Sequence, residues 1–175
     1  MQSQKVTARE YIFQRLEEAY LLTQEFDYLC PRGCRACEEN EGIVLLPYEH
    51  LFIRSKARSL GMEYIPSFMY HWILVCQKHL YIGYQNICTT CGALKGKDCA
   101  IYQVRPLDCR SFPVVPIFST NDTIEFQFSA YCPISQKLPP RFISTIENIW
   151  ISLLPSLPKN WRELYNEVSF EIGAR

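Results

Sequence analysis

The segment from Cys91 to Pro113, CGALKGKDCAIYQVRPLDCRSFP, constrains this chain more than any other stretch. Its three cysteines are interleaved with a tight turn, an aromatic anchor and two arginines. A second group with the spacing Cys-x3-Cys-x2-Cys lies upstream at residues 30–37, and Cys132 follows downstream. Thiolate ligands need short loops because each sulfur must lie about 2.3 Å from a metal such as zinc. The spacing therefore predicts a scaffold that brings thiolates together around a metal.

The number and setting of the cysteines favour metal binding over disulfides. The chain has nine cysteines, and an odd number cannot pair completely within one molecule. The first ten residues lack the apolar core of a signal peptide, and the most apolar stretch, Phe68–Cys76, is too short to span a bilayer. We therefore expect a cytoplasmic protein, in which clustered cysteines bind metal or react more often than they form disulfides.

Charge and composition restrict the remaining function classes. Eighteen basic and eighteen acidic residues balance, so neither a nucleic acid nor an anionic membrane is indicated as a partner. The sequence has no P-loop, no Rossmann glycine pattern, no HExxH stretch and no evident nucleophile–base pair. Whether the chain is an enzyme is left open, and so is a protein partner.

Apolar periodicity and turn residues predict an α+β fold in a small single domain covering residues 1–175. The cysteine-cluster region is expected at about 26–133, with a C-terminal helical appendage at about 140–170. An aromatic segment at 68–75 fits helix or strand equally well. The other predicted elements are a helix Ala8–Tyr28 opened by a Thr7–Glu10 capping box, a strand Ile43–Leu46, a helix from Pro47 to before Gly61, an extended stretch Leu80–Tyr84, a hairpin of Val114–Phe118 and Thr123–Ser129 with one buried face, and helices Arg141–Leu154 and Trp161–Phe170.

The segment that begins at Cys91 resembles the signature of the YkgJ-like cysteine-cluster family, which is described as a zinc- or iron-chelating domain. That signature contains C-x-I-Y, R-P and C-R-x-[FY]-P, which stand here at Cys99–Tyr102, Arg105–Pro106 and Cys109–Pro113. The resemblance covers about Phe26 to Pro133, and Cys132 matches a later cysteine of the family. It implies a metal site and no particular reaction.

The upstream group departs from the family pattern C-x2-C-x2-C-C. An extra residue follows Cys30, and Glu38 stands where a fourth cysteine is usual, so Glu38 as an oxygen ligand and Cys88 as a replacement thiolate are both alternatives. Arg105 and Arg110 are expected to serve the site, and the Arg105 guanidinium is expected to bond to carbonyls of the cysteine loops or to cluster sulfurs. The predicted metal ligands are Cys30, Cys34, Cys37, Cys91, Cys99, Cys109 and Cys132, enough for one four-thiolate site with spares or for two sites sharing ligands.

The predicted cofactor is an iron–sulfur cluster, such as a 4Fe-4S cluster, or a zinc ion. Abundant thiolates, Cys-Pro steps and aromatic neighbours favour the cluster, but thiolates also suit zinc and spacing does not separate the two. Two rival functions are a structural zinc module that presents a partner-binding surface, and a cluster-dependent oxidoreductase or protein-modifying enzyme. Cys76 lies in an apolar run and is expected to be buried without metal.

Overall fold

The computed structural model describes residues 7–27, 29, 34, 44–62, 72–77, 80–85, 94–95, 98–99 and 101–173. Within these ranges the chain is α+β, as predicted, with an N-terminal helix, antiparallel strand pairs and C-terminal helices. The helices are α1 (Ala8–Gln24), α2 (Glu49–Ser59), α3 (Leu107–Ser111), α4 (Pro140–Leu153) and α5 (Lys159–Gly173). The strands pair in chain order as β1 (Trp72–Gln77) with β2 (Leu80–Gln85), β3 (Leu94–Lys95) with β4 (Asp98–Cys99), and β5 (Val114–Phe118) with β6 (Ile124–Phe128).

Helix α1 begins at the predicted capping box. The Thr7 hydroxyl accepts the Glu10 N–H at 3.2 Å, and the Glu10 carboxylate accepts the Thr7 N–H at 2.8 Å. These two bonds satisfy N–H groups that have no partner inside the helix. The helix ends at Gln24, short of the predicted end, because residues 25–27 form turns in which the Phe26 and Asp27 N–H groups bond three residues back, to Thr23 and Gln24.

The strand predicted at residues 43–46 does not form in its described part. Val44 makes an isolated bridge, and Leu45 and Leu46 are in no strand, although all three are about 1% exposed. The backbone N–H groups of Val44 and Leu46 bond to side-chain carboxylates and not to a neighbouring strand. The apolar run therefore predicted burial correctly and secondary structure wrongly, because buried backbone groups need partners of any kind.

The main hydrophobic core joins α1, α4, α5 and the β5–β6 hairpin. The two helices predicted as an appendage provide its largest fully buried side chains, Trp150, Trp161 and Tyr165. Phe118 packs edge-on against all three rings, with centroid distances from 5.3 to 6.2 Å. The predicted hairpin is confirmed, but its buried face is incomplete because Phe128 is 47% exposed.

A second, smaller cluster lies beside the main core. It consists of Leu45, Ile53, Ala57, Ile101 and Val104, and Cys99 and Cys109 pack against it. The described part of the undecided aromatic segment is strand β1, paired in register with β2. None of the described helices combines the length and apolar content needed to cross a membrane.

Candidate functional site

Four of the seven predicted ligand cysteines belong to the described residues: Cys34, Cys99, Cys109 and Cys132. The other three, Cys30, Cys37 and Cys91, lie outside them, as do the alternatives Cys88 and Glu38. Among the described residues no three Cys, His, Asp or Glu side chains converge on one point. The four described thiols therefore do not form a ligand set by themselves.

Cys34 and Cys132 come from distant parts of the sequence, and Cys34 lies near enough to Cys132 to affect its pKa. Cys132 is buried, Cys34 is half-buried, and both thiols are free. Burial raises the pKa of Cys132, and the nearby Cys34 raises it further, while the backbone N–H groups of Ile134 and Ser135 lower it. The Cys132 sulfur thus lies between a second thiol and two N–H donors.

Cys99 and Cys109 lie at the two ends of a short, well-anchored loop. Cys99 is the last residue of β4, Cys109 is the middle residue of α3, and both are half-buried against the second cluster. A single 3-10 turn, Tyr102–Val104, and then Pro106 separate them. The structure thus brings these two predicted ligands to one small hydrophobic surface.

Arg110 is the main internal support of this loop. Its side chain is 5% exposed, and its guanidinium lies 3.9 Å from the centre of the Tyr20 ring. It donates hydrogen bonds to the carbonyls of Gln103 and Arg105 and to the Thr23 hydroxyl. Burial lowers the pKa of Arg110, and the neighbouring Arg105 lowers it further. These bonds support the loop from inside, whereas the service of Arg110 to a metal stays a prediction.

Arg105 ties the same loop to the end of α1. Its guanidinium bonds to the Asp27 carboxylate at 2.7 Å and to the Tyr102 carbonyl at 2.8 Å, and it stacks 3.9 Å from the centre of the Tyr102 ring. The Tyr102 hydroxyl donates to the Asp27 carbonyl at 2.9 Å. The Tyr20 hydroxyl donates to the Arg105 carbonyl at 2.7 Å. Several bonds therefore converge on the turn between Cys99 and Cys109.

Glu49 is an unpredicted member of this region. Its side chain is 0% exposed, and its two oxygens accept the N–H groups of Leu107, at 2.7 Å, and Leu46, at 2.9 Å. Burial raises the pKa of Glu49 to about 7, against the lowering effect of those two N–H donors; Asp108 adds to the rise and Arg110 opposes it. In the sequence Glu49 is only an acidic residue in a helix first turn, which is ordinary.

Asp108 makes a second carboxylate bridge one residue further on. One oxygen accepts the Val44 N–H at 2.9 Å, and the other accepts the Tyr165 hydroxyl at 2.6 Å. The position of Asp108 inside the family-like signature, between Pro106 and Cys109, is the only sequence signal that marks it. The sequence therefore does not predict that Asp108 bonds to Val44 and Tyr165.

A cleft of about 450 Å³ opens beside the loop, between α1, the end of α2 and the Gln103–Val104 turn. Arg110 and Tyr20 belong to its lining, and so do two ion-paired side chains, Lys56 and Glu17. Comparisons of the chain with protein-family models, with curated proteins and with solved structures return no match.

Proposed function

We propose that this chain is a cytoplasmic metal-binding protein whose cysteine thiolates hold an iron–sulfur cluster or zinc. The observation that carries the proposal is that Cys34 lies near Cys132 and that neither thiol is in a disulfide. These two predicted ligands are about a hundred residues apart in the sequence, yet Cys34 lies near enough to raise the pKa of Cys132. Two free thiols brought together in this way are typical of a thiolate metal site in a chain without a disulfide between them.

The donor chemistry of the described residues fits a soft metal. All four described candidates are sulfur donors, which select zinc, copper(I) or iron–sulfur clusters over hard cations. The N–H groups of Ile134 and Ser135 beside Cys132 are also in keeping with a metal thiolate, since such hydrogen bonds tune its charge. Because two thiols do not complete a site, the remaining ligands would come from Cys30, Cys37, Cys91 and the alternatives Cys88 and Glu38.

The arrangement of the four described thiols favours two sites over one. Cys34 lies near Cys132, whereas Cys99 and Cys109 pack on the second cluster, and no three described donors converge. The upstream cysteine group would complete the first pair, and Cys91 would contribute to the second. When bound, the metal would supply either electron transfer, as a cluster, or a rigid tetrahedral cross-link, as zinc.

The test is the absorption spectrum and metal content of protein purified anaerobically. An iron–sulfur protein is expected to be brown, with iron and acid-labile sulfide in equal amounts, whereas the rival structural zinc module is expected to be colourless with zinc bound. Protein that holds neither metal, both as purified and after reconstitution with iron and sulfide or with zinc, would overturn the proposal.

Single-cysteine variants identify the ligands within the same experiment. Cys99→Ala and Cys109→Ala are each expected to lose most of the metal of the site they serve. Cys76→Ala is the matched control, because Cys76 lies in strand β1, outside both cysteine groups. It should keep its metal and lose on the order of 1 kcal/mol of stability through a small cavity. Loss of metal from the Cys76 variant alone would show that the ligands were assigned wrongly.

A further inference from the structure

Helix α3, which carries Cys109, cannot hold its own position. It is five residues long, and helices of this length are not stable by themselves in water. Pro106 occupies the N-cap position and has no side-chain group that could cap the helix. Its place in the fold must therefore come from contacts with other elements.

The first of these contacts is the Glu49 carboxylate. The Leu107 N–H at the start of α3 bonds to one of its oxygens, and the Leu46 N–H bonds to the other. Both bonds are buried, and a buried N–H group without a partner is strongly disfavoured. One side chain thus fixes the start of α3 relative to the segment Val44–Leu46.

The second contact is the Asp108 carboxylate, which runs between the same two segments. It leaves α3 one residue after Leu107 and reaches the Val44 N–H, while its other oxygen is held by the Tyr165 hydroxyl of α5. Two carboxylates therefore bridge α3 to Val44–Leu46 at neighbouring points, which prevents rotation as well as translation. Leu107, Leu46 and Val44 are buried, and a buried N–H group that lost its acceptor would be costly, so both bridges are effective restraints.

The remaining polar neighbours of Cys109 on α3 are also bonded to their surroundings. Ser111 accepts the Trp150 indole N–H at 2.8 Å and donates to the Leu107 carbonyl at 2.8 Å. Arg110 is held by the 103–105 carbonyls and Thr23. The direction in which α3 presents the Cys109 side chain is consequently set by its neighbours on both sides.

We propose that Glu49 and Asp108 are positioning residues that fix Cys109 as a metal ligand by bridging α3 to the segment Val44–Leu46. The inference rests on the proposed function, since it takes Cys109 to be a ligand. It adds that the segment following the upstream cysteine group and the helix carrying Cys109 are joined by two carboxylates, the buried Glu49 and the half-buried Asp108. Metal affinity at Cys109 then depends on residues that touch no metal.

The experiment compares Tyr165→Phe with Tyr11→Phe. Both changes remove one tertiary tyrosine hydrogen bond and keep the ring: Tyr165 donates to Asp108 of α3, whereas Tyr11 of α1 donates to the Ser152 carbonyl of α4 at 3.3 Å. Both are milder than removing a buried carboxylate, so folded protein is expected. Each variant is titrated with cobalt(II) as the metal probe, followed by its thiolate charge-transfer absorption, and amide hydrogen exchange is measured in the metal-free protein.

In Tyr165→Phe, the amides of residues 107–112 should exchange about tenfold faster and cobalt should bind about tenfold more weakly, with an altered charge-transfer band. Tyr11→Phe should leave both unchanged. Equal behaviour of the two variants would overturn the inference, and so would faster exchange without a change in cobalt affinity. If the wild-type protein binds no cobalt, the proposed function fails and the inference falls with it, an outcome that the wild-type titration alone identifies.

Discussion

Two neighbouring regions of this molecule are held together by different forces. The core of α1, α4, α5 and β5 consists of apolar and aromatic side chains, with Trp150 and Trp161 fully buried. The cysteine-bearing segment, residues 99 and 101–111, has apolar contacts too, but it is also held by two buried ionisable side chains, Glu49 and Arg110, that bond to backbone atoms. Apolar burial is non-directional, whereas hydrogen bonds restrict both distance and angle. A segment that presents side chains in a fixed geometry therefore needs directional hydrogen bonds.

Tyr165 belongs to both regions. Its ring packs among Phe118, Trp150 and Trp161, and its hydroxyl bonds to Asp108. The aromatic core thus supplies one rigid end of the polar bridge. The comparison between the regions can be tested by changing each one separately.

The largest effect is expected from Trp161→Ala in the apolar region. Its indole is fully buried and donates to the Leu45 carbonyl at 2.9 Å, so both packing and one hydrogen bond are lost. The free energy of unfolding, measured by urea denaturation, should fall by about 3–5 kcal/mol. Ile151→Ala is the control, because Ile151 is 50% exposed, and its change should stay within about 0.5 kcal/mol. A loss below about 1 kcal/mol for Trp161→Ala would contradict the role given to packing.

The pH dependence of the free energy of unfolding is expected to show the titration of Glu49 in the polar region. Because burial raises the pKa of Glu49 to about 7, the folded protein holds a proton there at pH values where the unfolded chain has released it. The contribution of Glu49 to stability should therefore be full below its ordinary pKa and decrease as the pH rises to about 7, by on the order of 3 kcal/mol at most.

The measurement is urea unfolding between pH 5 and pH 8 for the wild type and Glu49→Gln. The free energy of unfolding of the variant should lack the part of the pH dependence that comes from Glu49. The variant should nevertheless be less stable at every pH, because an amide offers only one oxygen for two N–H donors. Identical slopes for the two proteins would show that Glu49 does not titrate in this range.

A smaller effect is expected from Arg105→Ala at the edge of the polar region. The variant loses the bond to Asp27 and the bond to the Tyr102 carbonyl, and we expect a loss of about 1–2 kcal/mol, since the Asp27 side chain is 34% exposed and partly screened. Metal content should fall as well if Arg105 serves the site. Arg141→Ala is the control: its ion pair with Glu25 is 3.1 Å long, but Arg141 is 74% exposed, so near-zero loss is expected. Unchanged stability and full metal occupancy in Arg105→Ala would show that Arg105 supports neither the loop nor the metal site.

The local parts of the fold could be predicted from the sequence. The capping box at Thr7, the β5–β6 hairpin and the two C-terminal helices are all confirmed within a few residues of the predicted bounds. Each depends on residues a few positions apart, so a one-dimensional pattern contains the information. The strand predicted at 43–46 does not form at the described residues 44–46, because apolar content predicts burial and does not reveal where the backbone N–H groups find partners.

In the candidate site, too, local features could be predicted from the sequence and long-range contacts could not. The sequence alone determined the type of donor, because thiol groups at short spacing select a soft metal whatever the fold around them. Only the tertiary structure decided that Cys34 lies near Cys132, and that Glu49 bonds to Leu107, 58 residues further along the sequence. Contacts of that range depend on how α2, α3 and α5 pack together. A buried carboxylate and an exposed one are the same letter in the sequence until that packing removes water from one of them.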